Sequence, residues 1–186
     1  METPVEDFVP RKIVSSRGAR VTVRVVCPED EEGFHAAFLR LSSESRYTRF
    51  MSVVRDLSDA TLHQATHPDA AREFALVAVA AAGEGEQIVA GGRFVAIPKT
   101  ADCEFAVTVV DDWQGHGLGR ALLTALKDAA AVRGYGRMEG YVLSTNLAMR
   151  KLGARLGFAD GPMPGDATTR LLAVVLREDD GRASGD

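Results

Sequence analysis

Val107-Thr-Val-Val-Asp-Asp-Trp-Gln-Gly-His-Gly-Leu-Gly-Arg120 joins an apolar strand pattern to a glycine-rich loop that opens directly onto a helix. That order aims backbone N–H groups at a phosphate, because the first turn of a helix holds donors without partners and carries partial positive charge. Gly115, Gly117 and Gly119 remove Cβ atoms at alternating positions where the helix begins, which clears the approach for a diphosphate. Two other phosphate motifs fit less well. A P-loop requires G-x-x-x-x-G-K-S/T, which is absent, and a dinucleotide fingerprint G-x-G-x-x-G fails because residue 120 is arginine. A tight turn before a helix is the plain alternative, but three glycines and Gln114 exceed what a turn demands.

Upstream, Val21, Val23 and Val25 alternate over Arg20 to Val26 as one face of a strand, stopped by Pro28. Glu29, Asp30, Glu31 and Glu32 put negative charge at the start of a helix that turns Phe34, Phe38 and Leu41 inward. Ser42 to Arg49 is less regular, and Ser58 caps a short helix over Asp59 to Ala65 that His67-Pro68 ends. Three apolar runs, Phe74 to Ala81, Ile88 to Ile97 and Glu104 to Val110, read as an antiparallel meander, with Gly83-Glu84-Gly85-Glu86 as its first turn.

The helix after the loop runs from Gly117 to Arg133, with Leu118, Leu122, Leu126 and Ala129 on one face and Gly134 ending it. Met138 to Leu143 is a fifth strand. Asn146 caps a fourth helix that carries Met149, Leu152 and Leu156, and Arg170 to Leu176 is a last strand after the loop Asp160 to Thr169. The order β-α-α-β-β-β-α-β-α-β is an α+β layout with one parallel junction, where the third helix links the fourth and fifth strands. Residues 1 to 18 read as a flexible lead-in and 177 to 186 as a flexible tail around a single domain of residues 19 to 176.

The 186 residues carry 22 Lys plus Arg against 26 Asp plus Glu, a net charge of −4, with no basic run, so nucleic acid is excluded as the main partner. The start is wrong for a signal peptide and no window reaches the roughly 18 apolar residues of a membrane span, which excludes membrane attachment. Cys27 and Cys103 have neither disulfide nor zinc spacing and suit a reducing cytoplasm. His63 and His67 stand four apart, but the run lacks the glutamate of H-E-x-x-H and any evident third ligand, so no metal is expected.

Gln114, Gly117 and Gly119 in the spacing Q-x-x-G-x-G resemble the acyl-CoA pyrophosphate loop of the GNAT superfamily of N-acyltransferases, and the element order and Asn146…Leu156-Gly157-Phe158 extend that resemblance over residues 20 to 176. The resemblance implies a central, mostly antiparallel mixed sheet of about six to seven strands, flanked by about four helices and splayed at its parallel junction. It implies acetyl-CoA as co-substrate, with Gln114, Gly115, His116, Gly117, Leu118, Gly119 and Arg120 at the pyrophosphate. The backbone of Val107 and Val109 would lie along the pantetheine arm, and Asn146 near the cofactor. His116 is read as a backbone donor, and Cys103 as a small buried hydrophobe.

An acceptor amine titrates near about 10.4 and must lose a proton before attacking a thioester, so a base is needed. Glu104, on the strand face opposite Phe105, Val107 and Val109, resembles the glutamate base of protein-acetylating GNAT enzymes; an ordinary ion-paired strand glutamate is the alternative, and Glu139 is the reserve. The position where many members carry a tyrosine general acid is Gly153, and Tyr141 and Tyr135 do not match it. Leu41-Ser-Ser-Glu-Ser-Arg-Tyr-Thr-Arg-Phe-Met51 resembles bacterial Pat-type protein lysine acetyltransferases, which implies protein lysines as acceptors, acyl-CoA synthetases among them. Acetylation of a small amine and a catalytically silent acyl-CoA-binding module are the competing readings. Arg46 and Arg49 either meet an acidic partner or pair locally.

Overall fold

Strand and helix patterns of the chain come together as one eight-stranded sheet covered on both faces, in a computed structural model that describes residues 8–177. The elements are β1 Arg11–Val14, β2 Arg20–Val25, α1 Glu31–Leu39, α2 Ser43–Phe50, α3 Asp59–Thr66, β3 Glu73–Ala82, β4 Gly85–Ala96, β5 Asp102–Val109, α4 Leu118–Val132, β6 Arg137–Leu143, α5 Leu147–Arg155, β7 Ala159–Met163 and β8 Asp166–Val175. The sheet order is β1-β2-β3-β4-β5-β6-β8-β7, antiparallel throughout except for β5 against β6. No helix among the described residues is long and apolar enough to cross a membrane.

The alanine-diluted run of β3 is buried on both sides, which explains its lack of alternation. Leu76, Ala78 and Ala80 join the larger core with Leu118, Leu122 and Leu126 of α4, whereas Ala75, Val77 and Val79 pack beneath Phe34 and Ala37 of α1. The acidic start of α1 does more than complement a helix dipole. Asp30 is buried and takes both Arg24 guanidinium nitrogens, at 2.7 and 2.8 Å, plus the Cys27 N–H at 2.8 Å.

Three elements depart from expectation and bring the count among the described residues to eight strands and five α-helices. β1 lies within the lead-in expected to be flexible and pairs with β2, so the sheet starts at Arg11. α2 replaces the irregular segment: Ser42 accepts the Ser45 N–H, and Met51 closes the helix in the left-handed conformation. β7 runs through the expected loop and pairs on one side only, which lets it hold Gly161 and Pro162. Residues 1–7 and the tail from 178 lie outside the described residues.

The feature that shapes the site is the brevity of the parallel pairing. β5 and β6 pair at Asp102, Cys103 and Glu104 with Arg137, Met138 and Glu139, and then part. Immediately beyond, the Phe105 ring lies over Gly140, and a Cβ there would stand 2.6 Å from it. Phe158 meets the same ring edge-on at 5.2 Å. Gly140→Ala therefore forces ring or strand to move and is expected to cost about 1–3 kcal/mol in thermal and denaturant unfolding.

Asp30→Asn strands the Arg24 charge and is expected to cost about 2–4 kcal/mol, Arg24 being partly hydrated. Burial alone would raise the Asp30 carboxyl, but the hydrogen bonds from Arg24 and Cys27 outweigh it and hold it below the usual range. The pair thus contributes fully above about pH 4 and loses its contribution as pH falls through that lowered value, a dependence that unfolding curves at acid pH should show and the variant should lack.

Candidate active site

After β5 a single 3-10 turn, Asp111–Trp113, delivers the chain to Gln114. Gly115 and Gly117 then adopt φ of 75° and 87°, and among the described residues, chain neighbours aside, no atom lies within 4 Å of where a Cβ would stand at either. The loop carbonyls face the segment after β1: Ser16 donates its N–H to His116 O at 3.1 Å and its hydroxyl to Gly115 O at 3.2 Å. Since a trans peptide holds C=O and the following N–H antiparallel, the N–H groups of His116 and Gly117 point the other way. The intrahelical ladder starts with Ala121 N–H to Gly117 O, which leaves the N–H groups of Leu118, Gly119 and Arg120 at the open head of α4. A diphosphate fits this cradle, which offers backbone donors and no obstructing side chain.

Several side chains of the motif are engaged elsewhere. Gln114 donates its amide to Ser45 Oγ and Val109 O, both at 3.2 Å, which ties α2 and the end of β5 to the loop. Leu118 is buried in the core, and Gly119 packs against Leu152 of α5. The His116 imidazole is buried against Trp113 with neither nitrogen partnered among the described residues. It lines a cavity of about 480 Å³ with Arg11, Ser16, Arg120 and Thr124. Asn146 accepts the Met149 N–H at 3.1 Å, so its carbonyl caps α5. Val107 and Val109 turn their side chains toward Gly92 and Gly119.

The opposite face of the sheet holds the ionisable groups. Glu104 pairs in register with Glu139, which puts both on that face, but their surroundings differ. Glu139 is buried, ion-paired to Arg137 at 2.6 Å and hydrogen-bonded by the Tyr141 hydroxyl at 3.3 Å. Glu104 is exposed and has no ion pair among the described residues. Burial pushes the Tyr141 phenol above its ordinary value, and the Glu139 and Glu104 carboxylates add to this.

Alongside lies a cavity of about 190 Å³ walled by Phe34, Phe38 and Phe50, floored by Ala106 and Thr108, and entered by Arg49 and Arg93. Burial and then repulsion from Arg93 lower the Arg49 guanidinium, against attraction by Glu104. Arg46 is structural: it donates to the carbonyls of Leu39, Leu41 and Arg55 and lies over the Phe38 ring at 4.3 Å. Arg93 escaped the sequence reading, although a lone charge within the apolar run of β4 was a signal. Gly153 has no room for a tyrosine, since even a Cβ would meet Leu172 at 3.0 Å and Phe158 at 3.5 Å. Burial raises the Cys103 thiol to about 12, in keeping with a packing role.

The family model described as "Acetyltransferase (GNAT) family" matches residues 37–158. The chain belongs to the GNAT family of acetyltransferases. It is 34% identical over 159 residues to acetyltransferase PA5475 of Pseudomonas aeruginosa, covering 86% of each. Against acetyltransferase Pat of Mycolicibacterium smegmatis it is 39% identical over 136 residues, covering 73% of this chain and 40% of that longer protein. Among solved structures, the GNAT domain of S. lividans PAT superimposes with a TM-score of 0.79 at 28% identity, over 89% of this chain and 96% of that one. The cAMP-binding acyltransferase from Mycobacterium smegmatis gives a TM-score of 0.61 at 29% identity, over 91% of this chain and 48% of that one. The chain is thus an acyltransferase with a GNAT fold, and acetyl-CoA is the co-substrate of GNAT acetyltransferases.

A side chain at Gly117 would meet no described atom within 4 Å, chain neighbours aside, but would sit at a φ of 87° that only glycine adopts freely, disturbing the head of α4. Gly117→Ala is expected to weaken acetyl-CoA binding tenfold or more, about 1.4 kcal/mol by titration calorimetry. Gly165→Ala, at φ 79° in the β7–β8 turn, imposes the same backbone strain and should leave binding unchanged.

Proposed function

We propose that this chain is an acetyl-CoA-dependent acetyltransferase of lysine amines on proteins, acyl-CoA synthetases among them, with Glu104 as general base. The observation that carries it is the Glu104 carboxylate, without an ion pair among the described residues, on the sheet face opposite the α4 packing, where its register partner Glu139 is engaged by Arg137 and Tyr141. The likeness of α2 and its flanks to Pat-type enzymes, and the relation to acetyltransferase Pat, favour a lysine acceptor. The two free cysteines suit a cytoplasmic setting.

Acetyl-CoA supplies the thioester, its diphosphate on the N–H groups of His116 to Arg120 and its arm along the edge of β5 that β6 leaves free. Arg49 and Arg93 disfavour a further cation nearby and so favour the neutral acceptor amine. Glu104 takes the proton, directly or through water, as the nitrogen bonds to the acetyl carbon and the carbon–sulfur bond breaks. Backbone donors at the strand edge stabilise the oxyanion. The leaving thiol has an ordinary value near about 8.5 and departs as thiolate without the tyrosine that Gly153 replaces.

Glu104→Gln should lower kcat by about 10²–10⁴-fold with an unchanged KM for acetyl-CoA and loss of the base limb from the pH profile. Retained turnover with unchanged pH dependence would remove Glu104 from this role. One observation leaves room for a small amine instead: an aromatic-walled cavity of about 190 Å³ lies beside Glu104's face of the sheet. Comparing kcat/KM on a folded acyl-CoA synthetase with that on a panel of polyamines and aminoglycosides separates the readings.

A further inference from the structure

Away from the cleft, the fold supplies what the spacing of His63 and His67 lacked. Glu31, at the start of α1, stands beside both histidines at the end of α3, and ligand-capable atoms of the three lie within 4.8 Å of one another. His63 Nδ1 is 3.9 Å from the Glu31 carboxylate, and the two imidazoles stack at 3.8 Å with 25° between their planes. His67 Nδ1 lies 2.9 Å from the His63 carbonyl. Thr66 Oγ1 lies 3.0 Å from the same nitrogen but donates its own proton to the Leu62 carbonyl at 3.1 Å, and a carbonyl only accepts, so the tautomer with Nδ1 protonated satisfies both contacts and leaves the Nε2 lone pair free. Metal-binding histidines are commonly held this way, with the second nitrogen donating to a backbone carbonyl.

We propose that Glu31, His63 and His67 form a site for a divalent transition cation of the zinc class. Two imidazoles and one carboxylate suit zinc, cobalt or nickel, and water would complete a tetrahedral shell. Bonds of about 2.1 Å put tetrahedral ligands about 3.4 Å apart, so the trio must close by about an ångström. Stacked rings point their in-plane lone pairs alongside one another, so binding requires His63 to rotate out of the stack and Glu31 to follow, which their exposure allows. The bound cation would tie α1 to α3, two of the helices that roof the cavity beside Arg49. It plays no part in the acyl transfer, and the site stands or falls independently of Glu104.

The test is titration of the untagged full-length chain with Co²⁺ and Zn²⁺, followed by visible absorption, calorimetry and thermal unfolding. The expected result is one equivalent bound, tetrahedral cobalt bands without a thiolate charge-transfer band, and a raised melting temperature. His63→Ala, His67→Ala and Glu31→Gln should each weaken binding tenfold or more, with circular dichroism confirming their fold. His35→Ala removes the histidine of the other surface pair, His35 with Asp56, and should change nothing. Absence of stoichiometric binding would overturn the site. So would affinity that survives His63→Ala and His67→Ala, or a thiolate band pointing to Cys27.

Discussion

Two parallel strands that pair for three residues and then part are the constraint on which the site depends. The parting is enforced by packing: Phe105 occupies the space above Gly140, and Phe158 closes on the same ring. Because β5 and β6 are parallel, a crossover must connect them, and α4 is that crossover. Its head therefore lies at the end of β5, beside the opening, and α5 begins on the other side with Asn146 as cap. Two helix N-termini thus flank a gap with a free strand edge.

The period of two along β5 sends its alternate side chains to opposite faces of the sheet. Val107 and Val109 turn toward α4 and α5, the side of the glycine cradle. Glu104, Ala106 and Thr108 turn toward the helical layer and its cavity, where Arg49 and Arg93 stand. Gln114 couples the halves, since one amide group holds both Ser45 of α2 and the last carbonyl of β5.

The cradle was legible because it is local: positive-φ glycines, helix head and preceding strand all sit within fourteen residues of sequence. The face of Glu104 was legible for the same reason, through alternation with Phe105. What stayed hidden depended on partners far away. β7, with Gly161 and Pro162, is a strand only because β8 pairs with it, and β1 only because β2 does. α2 buries no residue fully, so it had no apolar stripe to announce it. That Gln114 also holds Ser45, and that Glu31 stands beside His63 and His67, depend on α2 and α1 packing against elements distant in sequence. Residue type announced structure wherever one element sufficed and stayed silent wherever two had to meet.

The proposed division of donor and acceptor between the faces is tested most directly by a crystal structure of the chain with a lysyl-coenzyme A bisubstrate analogue. The predicted result has the diphosphate on the N–H groups of His116 to Arg120, the arm in the gap between β5 and β6, and the lysine nitrogen within hydrogen-bond reach of Glu104, directly or through one water. A diphosphate lodged instead in the cavity between Arg11 and Thr124, or a nitrogen on the α4 side beyond reach of Glu104, would contradict it.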